Sequence, residues 1–169
     1  AEGLFRASDT ITRSEFHEHW QTLQVAEKFP GMLAVQYGPV LRDADKAAFT
    51  AAVRADRSLQ PQGYPDYSIR PAGRRDAYAP VLYNEPMAGN EAAFGFDFLE
   101  GGVRRAVLER ARDTGLPSAS APFALLQGGL HPVGFVVRVP VYQRGAPTTT
   151  EAQRRAAFVG LLSGVCRTS

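Results

Sequence analysis

Asp97 stands between Phe96 and Phe98 in the stretch GFDFLEGGVRRA, residues 95–106, just ahead of a helical pattern. An ionised carboxylate among aromatic rings costs free energy to bury unless hydrogen-bond donors meet it. Two chemistries meet that condition. One is a turn or helix-start aspartate that accepts backbone N–H groups. The other is a group that reads the N–H donors of a ligand. The residues alone leave both open.

Other chemistry-bearing residues are sparse. His17 and His19 in EFHEHW are two apart, so a helix points them to different faces, unlike the i, i+4 spacing of helical zinc ligands. They read as two surface histidines, and His131 stands alone in a turn. Cys166 is the single cysteine, which excludes an intrachain disulfide and a multi-cysteine metal site. No G-x-S-x-G elbow occurs, and the glycine pairs at 101–102 and 128–129 lack P-loop spacing. Asp97 and Glu100 lie three apart, as acidic residues at helix starts commonly do. Nothing here supports an enzyme or a cofactor. A binding pocket is better motivated: Tyr78 and Tyr83, with Phe123, Leu125, Leu126, Phe135 and Val137, could line one or simply fill a core.

The elements that would position these residues follow from periodicity. SEFHEHWQTLQVAEKF has helical spacing through Phe16, Trp20, Leu23 and Phe29, with Ser14 as N-cap and Pro30-Gly31 as stop. GMLAVQYGPVL reads as a strand, and RDADKAAFTAAVRADRS as a helix capped by Asp43. QPQGYPDY is a loop; DYSIRP and DAYAPVLYNEP then read as strands, the latter interrupted by Pro80. GGVRRAVLERARDTG predicts a helix closed by Gly115. SAPFALLQ and VGFVVRVPVYQ predict an antiparallel hairpin, and Thr150-Glu151-Ala152-Gln153 a capping box. AAFVGLLSGVCR reads as a strand, because Gly160 and Gly164 weaken a helix. The expected class is α+β with a largely antiparallel sheet. Absent βαβ units argue against a doubly wound nucleotide fold.

At 169 residues the chain is expected to form one domain with a real core. A formal net charge of +2 gives no case for nucleic acid or a membrane surface as partner. Lys28 and Lys46 are the two lysines among 19 basic residues, and the arginines are scattered, as on solvated faces and loops. No apolar run approaches the roughly 18 residues that span a bilayer, and no signal peptide is visible.

The motifs PAGRRDAYAPVLYNEP, GFDFLEGGVRRAVLERARDTG, SAPFALLQ and GFVVRVPVYQ, in this order, resemble the CHASE domain family. LFRASDTITRSEF and KFPGMLAVQY resemble the family's earlier part. The resemblance implies a PAS-like sensor lobe, about 28–167, behind an N-terminal helical segment. Family members lie outside the cytoplasmic membrane between two transmembrane helices. Their cytoplasmic output is a histidine kinase or, in bacteria, also a diguanylate cyclase or phosphodiesterase. The expected partners are a small-molecule ligand and a second copy joined through the helical segments. By motif, the purine-reading aspartate of plant members falls on Asp97 and the pocket leucine on Leu126. A family threonine falls on Arg138, a long cation that could occlude an adenine pocket, pair with Asp97 or pair with an anionic ligand. Tyr78, Tyr83, Phe96 and Phe123 complete the expected lining, and the chain reads as a piece excised from a longer receptor.

Overall fold

A computed structural model describes residues 3, 5, 10–126 and 133–168. Its centre is an antiparallel sheet built on three long strands: β1 (Met32–Pro39), β7 (Val133–Tyr142) and β8 (Phe158–Arg167). β8 lies between the other two, flanked beyond β1 by β4 (Tyr83–Glu85) and beyond β7 by β5 (Ser118–Ala119) and β6 (Phe123–Ala124). A separate two-stranded sheet joins β2 (Leu41–Arg42) to β3 (Ala77–Tyr78). Helices α1 (Arg13–Leu23), α2 (Val25–Lys28), α3 (Lys46–Ala55), α4 (Gly102–Thr114) and α5 (Glu151–Ala157) complete the mixed α+β arrangement, with the N-terminal helix present.

The strand reading of residues 156–167 holds from Phe158 onward, while residues 156 and 157 end helix α5, and glycine is the reason for the strand. Gly160 faces Tyr37 of β1 so closely that a Cβ would lie 2.6 Å from the tyrosine hydroxyl. Gly115 closes α4 in the left-handed conformation at φ 74°, and Thr150 with Gln153 forms the expected capping box of α5. The β6–β7 hairpin is antiparallel as expected, pairing Phe123 with Gly134. Its Gly128-Gly129 turn and His131 lie outside the described residues.

Several local readings change. Thr12, not Ser14, caps α1, because its hydroxyl accepts from the Glu15 N–H while Glu15 reaches back to the Thr12 N–H. The helix ends at Gln24, whose φ of 49° breaks the pattern that pointed on to Phe29. Phe16 alone of that apolar series is fully buried, and Phe29 is exposed. Asp43 opens a short 3-10 turn, Asp43–Asp45, instead of capping α3, and its carboxylate accepts from the Tyr78 hydroxyl at 2.8 Å. DYSIRP forms no strand beyond one bridge at Arg70. DAYAPVLYNEP splits around Pro80 into β3 and β4, which serve different sheets. His17 and His19 are half-buried, with His17 Nδ1 3.0 Å from Glu85 Oε1.

The sheet carries a different core on each face. One face joins Tyr83, Val141 and Leu162 to Ile11 and Phe16, which attaches α1. The other packs Ala34, Val136 and Val165 with Leu125, beside a second group of Ala79, Val81, Phe98, Leu108 and Leu161. Burying a side chain such as Leu108 contributes about 1.5–3 kcal/mol, so α4 is held to this face mainly by Val107, Leu108 and Ala111.

Candidate functional site

Strand alternation and register put one polar residue from each of five strands in a single row across the second face. Asn84 of β4 pairs with Gln36 of β1, Gln36 with Ser163 of β8, Ser163 with Arg138 of β7, and Arg138 with Ser118 of β5. All five are buried. Side chains at every second strand position share a face, so this row is a consequence of register and of nothing in local sequence.

The two ends of the row differ. At one end Gln36 donates to Asn84 Oδ1 at 3.0 Å, and Asn84 Nδ2 donates to the Asn90 carbonyl at 2.8 Å. At the other end Ser118 Oγ donates to the Leu116 carbonyl at 3.3 Å, and between the two ends the bonding stops. Ser163 Oγ and the Nε and Nη1 atoms of Arg138 are buried without a hydrogen-bond partner. Buried polar atoms are nearly always bonded, so three orphans on facing residues mark a place where acceptors are missing. Arg138 is 1% exposed. Its guanidinium lies over the Phe98 ring, 3.9 Å from the centroid. Burial, with neighbouring Arg104, pulls its pKa down to about 9, which leaves the group charged at neutral pH.

Gln36 and Arg138 of this row border a cavity of about 20 Å³. The sheet contributes Gln36, Val136, Arg138 and Val165; the 81–98 segment contributes Val81, Ala93, Phe96 and Phe98. Arg104 of α4 and the residues Phe123, Leu125 and Leu126 close it. Arg104 lies over both Phe96 (5.2 Å) and Phe123 (4.6 Å), donates to the Ala124 carbonyl, and has its pKa lowered by burial. Among the described residues the lining therefore holds two guanidinium groups and no carboxylate. Its volume is room for about one water molecule.

Asp97 points the other way. Phe96 and Asp97 each form a single β-bridge, and Phe96 and Phe98 line the cavity while Asp97 between them does not. Asp97 Oδ1 accepts the Ala79 N–H at 2.7 Å and the Leu99 N–H at 3.0 Å. Its Oδ2 accepts Arg75 Nη2 at 3.0 Å and Nε at 3.2 Å. Gly95 starts this turn at φ 85°, where a Cβ would collide with the Ser68 carbonyl oxygen. Arg138 thus makes no bond to Asp97.

Of the residues expected to line a pocket, Phe96, Phe123, Leu125, Leu126 and Arg138 come together here. Tyr78 is elsewhere: its hydroxyl bonds Asp43 and accepts the Arg75 N–H, under the Arg75 guanidinium. Tyr83 is on the opposite face, where its hydroxyl donates to the Ile11 carbonyl and its ring borders a groove of about 530 Å³. Phe135 and Val137 alternate away from Arg138 and also miss the cavity. Gln36, Ser163, Phe98 and Arg104 were not expected. A polar residue inside MLAVQYGP and another inside LLSGV were the available signals.

Among the described residues no group of three or more His, Cys, Asp and Glu side chains could hold a metal ion. No described helix is long and apolar enough to cross a membrane.

A CHASE domain profile matches residues 9–169, and the chain belongs to that family of sensory domains. The chain is also similar to a protein of Oryza sativa subsp. japonica named probable histidine kinase 4, at 35% identity over 95 residues. That match takes in 56% of this chain and 9% of the rice protein's length.

Proposed function

We propose that this chain is the ligand-binding sensory domain of a transmembrane receptor and lies on the extracytoplasmic side of the membrane. It performs no chemistry itself. A small molecule enters the cavity between the sheet and the 81–98 segment. Phe96, Phe123 and Leu126 contact it and Arg138 fixes its orientation. Asp97, Tyr78 and Tyr83 hold the frame around it. The observation that carries this reading is the group of orphaned atoms on Arg138 and Ser163, buried in a family of sensory domains.

The domain takes in residues 1–169, with the PAS-like lobe at about 28–167. In the longer protein it sits between transmembrane helices, and its output is a histidine kinase, as the name of the rice relative suggests, or a diguanylate cyclase or phosphodiesterase. Two copies meet through the helical segments. Ligand favours one arrangement of the dimer over another, which moves the attached helices.

The test is a thermal-unfolding screen of the purified chain. Compounds that bind the cavity raise the melting temperature by mass action. The small volume of the cavity favours a second reading, a dimerising module that takes no ligand. A screen without a stabilising compound, with a crystal structure whose cavity stays closed, would decide for that module.

A further inference from the structure

The wiring of the cavity goes further than the presence of a ligand: it restricts the ligand's charge. We infer that the site selects a small organic acid and takes its carboxylate group against Arg138. This inference rests on the ligand-binding reading above and deepens it.

Three observations converge. Arg138 is 1% exposed, and its Nε and Nη1 atoms have no hydrogen-bond partner. Ser163, opposite it on β8, adds a third unbonded polar atom on the same sheet face. Asp97, between the lining residues Phe96 and Phe98, is already held by Arg75 and two backbone N–H groups, and so is not free to neutralise Arg138. The second guanidinium, Arg104, stands over Phe96 and Phe123 at the closing side and has no ion pair among the described residues. Two cations in one lining repel each other; this raises the cost of the empty state and lowers it once an anion is bound.

The shape narrows the class. A guanidinium matches the two oxygens of a carboxylate by parallel N–H donors. The cavity of about 20 Å³ is room for about one water molecule, so a carboxylate head group fills it and widens it on entry. Any organic remainder must therefore run past Phe96, Phe123 and Leu126, beside the Arg104 guanidinium. Leu126 is 36% exposed, at the outer edge of the described lining. A neutral base has no counterpart for either cation.

The experiment titrates the purified chain calorimetrically with acetate, propionate and benzoate, each against its amide, at neutral pH and constant ionic strength. Arg138→Gln, Arg138→Lys and Ser163→Ala are titrated alongside. The expected result is binding of one or more acids with no binding of the matched amide. Arg138→Gln should lose about 30-fold or more in affinity, Arg138→Lys less, because it keeps charge without the fork. Retained thermal cooperativity in each variant checks that it folds. Amide bound as well as acid, or acid binding unchanged in Arg138→Gln, overturns the inference. So does binding of chloride or phosphate alone. A neutral compound that stabilises the chain and perturbs Phe96 and Phe123 would overturn the acid class and keep the cavity as a ligand site. No binding of any compound, with ordered water alone on Arg138 in a crystal, overturns both.

Discussion

The guanidinium of Arg138 lies 3.9 Å from the centroid of Phe98, the shortest cation–ring contact among the described residues. The ring is its main partner, since Nε and Nη1 find no acceptor. A desolvated cation–π contact is worth about 2 kcal/mol, whereas an ionised group buried without acceptors costs several. The pair is therefore a net liability in the unliganded fold. A destabilised group of this kind belongs to a functional site more readily than to a scaffold.

Removing the liability should stabilise the chain. Arg138→Met is expected to raise unfolding free energy by about 1–4 kcal/mol at neutral pH, measured by urea denaturation. The pH dependence has a defined sign. The folded pKa is about 9, below the ordinary arginine value, so above pH 9 the unfolded chain binds more protons and native stability rises with pH. The advantage of Arg138→Met is thus full below pH 9 and narrows above it. An advantage that stays constant with pH would mean that the cation is solvated.

Asp97 should behave as a structural tie. Deleting its carboxylate leaves the buried Ala79 N–H and the Leu99 N–H without their acceptor, and Arg75 without its carboxylate. Asp97→Ala is expected to cost about 3–5 kcal/mol in chemical denaturation. Asp97→Asn keeps one acceptor for the two N–H groups and should cost less. A loss below 1 kcal/mol for alanine would free Asp97 for another role.

Arg13 should couple α1 to the lobe. It is buried, donates to Asp56 Oδ2 at 2.7 Å and to the Leu82 carbonyl at 2.9 Å, and lies over Tyr64 at 4.4 Å. Arg13→Ala is expected to cost about 3 kcal/mol and to speed amide exchange through α1 more than through β7 and β8. Uniform acceleration across the chain would instead describe plain global destabilisation.

Asp113 should set part of the acid limb of stability. It accepts from Arg155 at 2.8 and 2.9 Å and from Arg112 at 2.6 Å, which together hold its pKa far below the usual carboxylate range. Its contribution is present above the unfolded value near 3.8 and is lost as pH falls through the lower folded value. Asp113→Asn should cost about 1 kcal/mol at neutral pH, since the partners are partly solvated, and should flatten urea midpoints at low pH. An unchanged acid limb would remove Asp113 from the account.

How much of this was legible in the residues depends on range. Local chemistry gave the capping box at Thr150, the Gly115 stop and the β6–β7 hairpin. The α1 start was misread by two residues, because Thr12 and Ser14 are both good caps and only the Glu15 reach-back chooses between them. The scattered arginines read as solvent-facing, yet Arg13 and Arg138 are buried. Burial of a cation is invisible in one sequence, since it depends on which strands pair. The row from Asn84 to Ser118 spans five strands and could not be read from any one of them. Asp97 was singled out for its aromatic neighbours. Those neighbours line the cavity because it does not.

The most direct test of the central claim is the side-chain Nε–H resonance of Arg138 in 15N-labelled protein during titration with a carboxylate such as propionate. A new hydrogen bond to an acid should move that proton downfield and slow its exchange with water, with propionamide leaving it in place. An Arg138 signal unmoved by every acid, while the chain remains folded, would contradict the account.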